Sequence, residues 1–140
     1  MLTSLDDLLK QADYVSLHMP ASDDTKHLIS KRTLSLMKPT AFLINTARGG
    51  IVDTDALCQA LQTKRLAGAA LDVVEGEPLR ADSPLRALDN VYLSPHMGGA
   101  TSDARDLSGR AAAENLLRAL KGERPGHAVN PEVLANLRTI

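Results

Sequence analysis

Apolar residues fall in short dense runs separated by stretches with a helical beat, and this rhythm predicts alternating helices and strands. Ser4 stands where a helix cap is expected, ahead of Leu5, Leu8, Leu9 and Ala12, with Asp7 completing a capping-box pattern. Tyr14–His18 reads as a short buried strand halted by Pro20, and residues 30–37 as a short helix ended by Pro39. Ala41–Thr46 is the second strand. Asp53 then caps a helix whose Ala56, Leu57, Ala60 and Leu61 share one face. Leu66–Val73 is a continuous apolar run, as strands covered on both faces tend to be. A loop rich in Pro, Gly and Asp covers Glu75–Pro84. Val91–Ser94 is the fourth strand, and 102–121 is a long helix stopped by Gly122, its Ala and Leu stripe reading as core packing.

Alternation of this kind implies parallel strands joined by right-handed crossovers. The loops after the strands then open on one edge of the sheet, where such sheets bind ligands. Three of those loops carry reactive side chains. Arg48 follows the second strand and precedes Gly49 and Gly50; Glu75 and Glu77 follow the third; His96 follows the fourth, between Pro95 and Met97-Gly98-Gly99. A guanidinium fits a carboxylate bidentately, and an imidazole trades protons near neutral pH. A carboxylate beside an imidazole favours its protonated form. Together they suit a substrate bearing a carboxylate next to a carbonyl or hydroxyl, although redox chemistry would also need a hydride carrier. The two glycines leave room for a ligand to approach the backbone closely. Composition alone does not choose between Glu75 and Glu77. Among the histidines, His18 ends a strand, His27 lies in a polar loop and His127 in the tail. Asp72, at the end of a buried run, needs polar partners, and a hydrogen bond to a loop would supply them.

Composition narrows the field. A chain of 140 residues with 44% hydrophobic content is at most one domain with ample core material. A net charge of −1 without a basic stripe argues against nucleic acid, and three aromatic residues leave little for base stacking. No apolar run approaches a membrane span. The single cysteine, Cys58, cannot form an internal disulfide, which suits a cytoplasmic setting. No set of residues reads as a metal site.

Four motifs in order and at the right spacing carry a family resemblance: Asp13–Pro20, Asn45–Asp53, Gly68–Pro78 and Pro95–Thr101. The chain resembles the C-terminal part of the NAD-binding domain of D-2-hydroxyacid dehydrogenases, which include phosphoglycerate dehydrogenase and glyoxylate/hydroxypyruvate reductase. The resemblance implies an α/β, partial Rossmann-like, doubly wound parallel sheet of about four strands with helices on both faces. It assigns residues 1–122 to the NAD-binding domain and 123–140 to a tail returning to a substrate lobe. It implies oxidation of a D-2-hydroxyacid, or reduction of the 2-oxoacid, with NAD as cofactor and NADP left open. It selects Glu77, the glutamate directly before proline, and His96 within proline–histidine–x–glycine. Arg48 would anchor the substrate carboxylate, His96 would act as acid and base, and Glu77 would orient and tune His96.

The same resemblance places Met19, Pro20, Thr25, Thr46, Ala47, Arg48, Asp72, His96, Met97, Gly98 and Gly99 around the cofactor. It implies a small 2-hydroxy or 2-oxo acid as partner, no nucleic acid or membrane, and a homodimer in the full-length form. The family's G-x-G-x-x-G fingerprint is absent, so the chain reads as a truncated member, inactive on its own. An NAD(H)-sensing corepressor of the same lineage and an inactive fragment are the alternative readings.

Overall fold

The computed structural model describes residues 3–132. It divides into two compact units, one ending at Gly98 and one beginning at Gly99.

The first unit is a four-stranded parallel sheet. Its strands are β1 (Tyr14–Leu17), β2 (Phe42–Asn45), β3 (Gly68–Leu71) and β4 (Val91–Leu93), ordered β1-β2-β3-β4. Each predicted strand is present, and each ladder is shorter than its apolar run. Leu66 and Val73 are buried beyond the paired residues, because burial extends past the ladder into the turns.

Helices α1 (Leu5–Gln11), α2 (Lys31–Leu34) and α3 (Thr54–Gln62) belong to this unit. Ser4 caps α1 by accepting from the Asp7 amide, and Asp53 caps α3 by accepting from the Ala56 amide. Because the strands follow one another in sequence order, right-handed crossovers put every connection on one face. Burial alternates accordingly. Val15, Leu17, Leu43, Asn45, Ala69 and Leu71 point to the covered face and are buried. Leu9 of α1, Leu34 of α2, and Leu57 and Leu61 of α3 complete the same core. Opposite them, Tyr14 stacks on Phe42 with ring centroids 5.7 Å apart, and Tyr14 and Tyr92 are exposed. Helices on both faces are the expectation from sequence; within this unit all three cover one.

Loops after the strands are cross-tied beneath the sheet's carboxyl edge. Ile29 and Val52 form an isolated parallel bridge, and the Asp53 amide donates to the Ile29 carbonyl at 2.8 Å. Gly49 sits against the Val74–Glu75 peptide so closely that a Cβ there would overlap the Val74 carbonyl. The room this glycine provides is taken by the neighbouring loop of the same protein. At Gly50 an added Cβ would meet nothing within 4 Å.

In the second unit, α4 (Ser102–Leu120) is capped by Thr101, whose hydroxyl accepts from the Ala104 amide, and ends near Gly122 at φ 71°. No α4 residue is buried; Leu107, Leu116, Leu117 and Leu120 are exposed. The stripe read as core packing therefore finds no burying partner among the described residues of its own unit. Residues 123–132 of the predicted tail follow the helix, and 133–140 lie outside the described residues. Among the described residues no helix is long and apolar enough to cross a membrane.

Gly49→Ala is expected to lower unfolding free energy by about 1–3 kcal/mol through overpacking. Gly50→Ala should stay within about 0.5 kcal/mol of the parent. Urea denaturation of the two variants checks the contrast.

Candidate active site

Each strand's carboxyl end delivers one part of the site. Beyond β2, the buried Asn45 shapes the turn. Its amide nitrogen donates to the Arg48 carbonyl at 3.0 Å, and its carbonyl oxygen accepts from the Ala47 amide at 3.0 Å. The Arg48 guanidinium is exposed and folds back to donate to the Ala47 carbonyl at 2.7 Å. No carboxylate of this chain neutralises it among the described ion pairs.

Beyond β3, Asp72 is 8% exposed and fully engaged. One carboxylate oxygen accepts from the Ser94 hydroxyl at 2.6 Å and the Met97 amide at 2.8 Å, and the other accepts from the Gly98 amide at 2.8 Å. These bonds hold its pKa below the usual carboxylate range, with the Ser94 hydroxyl contributing most and the two amides next. A Cβ on Gly98 would come within 3.0 Å of the same carboxylate, so a small residue is required there. Asp72 thus ties down the loop after β4.

That loop carries His96 at φ 54°, a left-handed backbone uncommon for residues with a side chain. Its amide donates to the Asp72 carbonyl at 2.9 Å and the Ser94 carbonyl at 3.1 Å. Nδ1 lies 2.7 Å from one Glu77 oxygen, and the other Glu77 oxygen accepts from the Val74 amide at 3.0 Å. The glutamate is thereby fixed at both ends. Its pKa is lowered, chiefly by the hydrogen bond from His96, against an opposing contribution from desolvation and with help from the Val74 amide. With Nδ1 engaged by Glu77, Nε2 is the other ring nitrogen left to exchange a proton.

The structure joins Glu77 and His96 directly and places Arg48 elsewhere. Glu77 and His96 line a cleft of about 600 Å3 with Asp72 and Arg86. Arg48 lines a second cleft of about 590 Å3 with Met19, Pro20, Thr46 and Ala47. Thr25 is not among the residues lining the second cleft; its hydroxyl donates to the Pro20 carbonyl at 2.9 Å and accepts from the Ser22 amide at 2.8 Å, closing the turn after β1. Met97 and Gly98 have their amides committed to Asp72, and Gly99 opens the second unit. Glu75 pairs with His27 rather than with His96. Sequence reading missed Ser94 and Asn45. Their signal was position, since a hydroxyl two residues before His96 and an amide three before Arg48 are both suited to bracing a turn.

The chain matches known proteins in sequence and in fold. Residues 1–98 match the family model described as D-isomer specific 2-hydroxyacid dehydrogenase, NAD binding domain. A glyoxylate reductase of Thermofilum pendens is 53% identical over 132 residues, which are 94% of this chain and 39% of the relative. A solved structure from Thermus thermophilus superposes with a TM-score of 0.87 at 46% identity, covering 91% of this chain and 40% of that one. The NAD complex of a D-isomer specific 2-hydroxyacid dehydrogenase from Lactobacillus delbrueckii ssp. bulgaricus gives a TM-score of 0.84 at 36% identity, covering 91% and 43%. The chain therefore spans about two fifths of the proteins it matches.

A depressed Asp72 pKa makes stability depend on pH with a definite sign. The contribution is complete above the unfolded carboxylate value of about 3.9 and is lost as pH falls through the lower folded value. Asp72→Asn should therefore melt below the parent at pH 7, with the gap narrowing in acid. Melting curves from pH 7 to pH 2 check this.

Proposed function

The chain belongs to the D-isomer specific 2-hydroxyacid dehydrogenases, and we propose that it contributes the proton-transfer group, the carboxylate anchor and part of the nicotinamide cleft of a 2-oxoacid reductase. One observation carries the reading. A histidine held by a glutamate at 2.7 Å stands at the carboxyl edge of a parallel sheet, with an arginine on the loop two strands away.

Met19, Pro20, Thr46 and Ala47 line one cleft formed by the loops after β1 and β2, at the edge where such sheets take their ligands. Met19, Pro20, Thr46, Ala47 and Arg48 would line NAD(P), and Thr25 would support it by bracing Pro20. Asp72, Met97, Gly98 and Gly99 belong to the proposed cofactor side as well. Asp72 serves there by shaping the backbone, since both its oxygens are occupied. Bound NAD(P)H supplies the hydride that reduces the carbonyl carbon.

This chain's own residues supply the rest. Arg48 releases the Ala47 carbonyl and grips the substrate carboxylate with its fork of donors. His96 gives the Nε2 proton to the oxygen that becomes the hydroxyl, and takes it back in the oxidising direction. Glu77 holds Nδ1 and supports the positive charge while the ring is protonated. Glyoxylate, the substrate named for the Thermofilum relative, is the first acid to test. A homodimer and a cytoplasmic setting belong to the same proposal, the latter supported by the buried free thiol of Cys58.

In a full-length family protein carrying these residues, with glyoxylate and NADH or NADPH, His96→Ala should lower kcat about 10²–10⁴-fold, the usual value of a positioned acid. Arg48→Lys should lower kcat/KM roughly 10–100-fold, the worth of a charged hydrogen-bond pair. Steady-state kinetics monitored at the nicotinamide absorbance check both. Parent-level turnover by His96→Ala would overturn the mechanism.

A further inference from the structure

His27 stands outside the residues assigned above, yet it touches both loops that carry them. Its amide donates to the Gly50 carbonyl at 2.9 Å, two residues from Arg48. Its Nε2 lies 3.0 and 3.2 Å from the two oxygens of Glu75, two residues from Glu77. Its backbone is left-handed at φ 49°, a conformation that favours Gly or Asn and persists where the surroundings enforce it. The enforcement is visible next to it, where the Ile29 amide donates to the Ile51 carbonyl at 3.0 Å and the Asp53 amide to the Ile29 carbonyl. Opposite His27, Gly49 lies flush against the Val74–Glu75 peptide. The loops after β2 and β3 thus meet at two points, a backbone contact at Gly49 and a side-chain contact at Glu75. Both His27 and Glu75 are about two-fifths exposed, so the ion pair itself adds little to stability. Its use lies in geometry.

We propose that His27 and Glu75 form a clamp that sets the position of the Arg48 loop relative to the Glu77–His96 pair, making both of them positioning residues for hydride transfer to the oxoacid. Arg48 fixes where the substrate carboxylate lies, and His96 must meet the carbonyl oxygen two bonds away. Any slack between the two loops therefore appears directly as misalignment. Displacement of about 1 Å can cost about 10²-fold in rate. The slack would be felt at Glu77 because its free oxygen is held by the amide of Val74, the residue beside Glu75.

The proposal rests on the reductase reading, and the test separates the two. His27→Asn keeps a residue that tolerates the left-handed backbone and is too short to reach Glu75. Glu75→Ala removes the contact from the other side, and Glu75→Gln keeps an acceptor at the same length. In a full-length family protein carrying these residues, His27→Asn and Glu75→Ala should each lower kcat for glyoxylate roughly 10–100-fold with the parent's melting midpoint. Glu75→Gln should recover most of the rate, and the double variant should lose no more than either single one. Hydrogen exchange at the Val74 amide should accelerate in both single variants. A general loss of structure would lower the melting midpoint and would not be rescued by glutamine.

The clamp is overturned if kcat stays within twofold of the parent, if the losses simply multiply, or if Val74 exchange is unchanged. Should the full-length parent turn over no 2-oxoacid, the reductase reading fails. The exchange measurement then decides the clamp alone: faster exchange supports it, and unchanged exchange overturns it.

Discussion

The buried carboxylate of Asp72 is the constraint on which the rest of the site depends. It stands just past β3 and gathers the Ser94 hydroxyl and two successive amides of the loop beyond β4. Its own carbonyl takes the His96 amide. The left-handed backbone at His96 would be an unfavourable isolated choice, and these four bonds stabilise it. Once the ring is set, Nδ1 meets Glu77, and Glu77 returns through its second oxygen to Val74, two residues after Asp72. The bonds close a circuit that begins and ends on the segment just after β3. The exposed imidazole is thus referenced to the buried sheet.

The core below serves the same end. A four-strand ladder with one covered face leaves its loops in a single row, and the links between Ile29, Val52 and Asp53 join that row from beneath. Gly49 and Gly98 then mark two places where backbone or carboxylate crowds an added side chain. Both glycines stand near residues of the proposed chemistry, because close packing of loops is what keeps reactive groups in register.

Much of this was legible in the residues. Four strands, two of the helix caps and the order of the loops followed from apolar runs and from Ser4 and Asp53. Glu77 could be separated from Glu75 through the proline that follows it, and the structure pairs Glu77 with His96 and Glu75 with His27. Other features were not readable. Strand ends were overextended because Leu66 and Val73 are buried without being paired. The stripe on α4 has the periodicity of a packed face, and periodicity does not say against what. The glycine pair after Arg48 looked like ligand room, whereas only the three-dimensional approach of Val74 reveals what fills it at Gly49. Left-handed backbones at His27 and His96 leave no trace in composition, since histidine, though enriched in that region, enters it only in a small minority of cases.

Strand order also sets a demand on side-chain length. Arg48 leaves the sheet after β2 and His96 after β4, with one strand between them. Adjacent strands lie about 4.8 Å apart, so the two loops are rooted roughly 10 Å from each other. The 2-oxoacid of the proposed reaction presents its carboxylate and its carbonyl on neighbouring carbons, a span far smaller than that gap. One partner must therefore be an arm, and the imidazole, held at Nδ1 by Glu77, cannot be. The long guanidinium side chain, parked against its own Ala47 carbonyl, has the reach. In the proposed reaction, the proton-transfer group after one strand and the anchor after another are matched by a tether of carbon atoms, so arginine serves there by its length as much as by its charge.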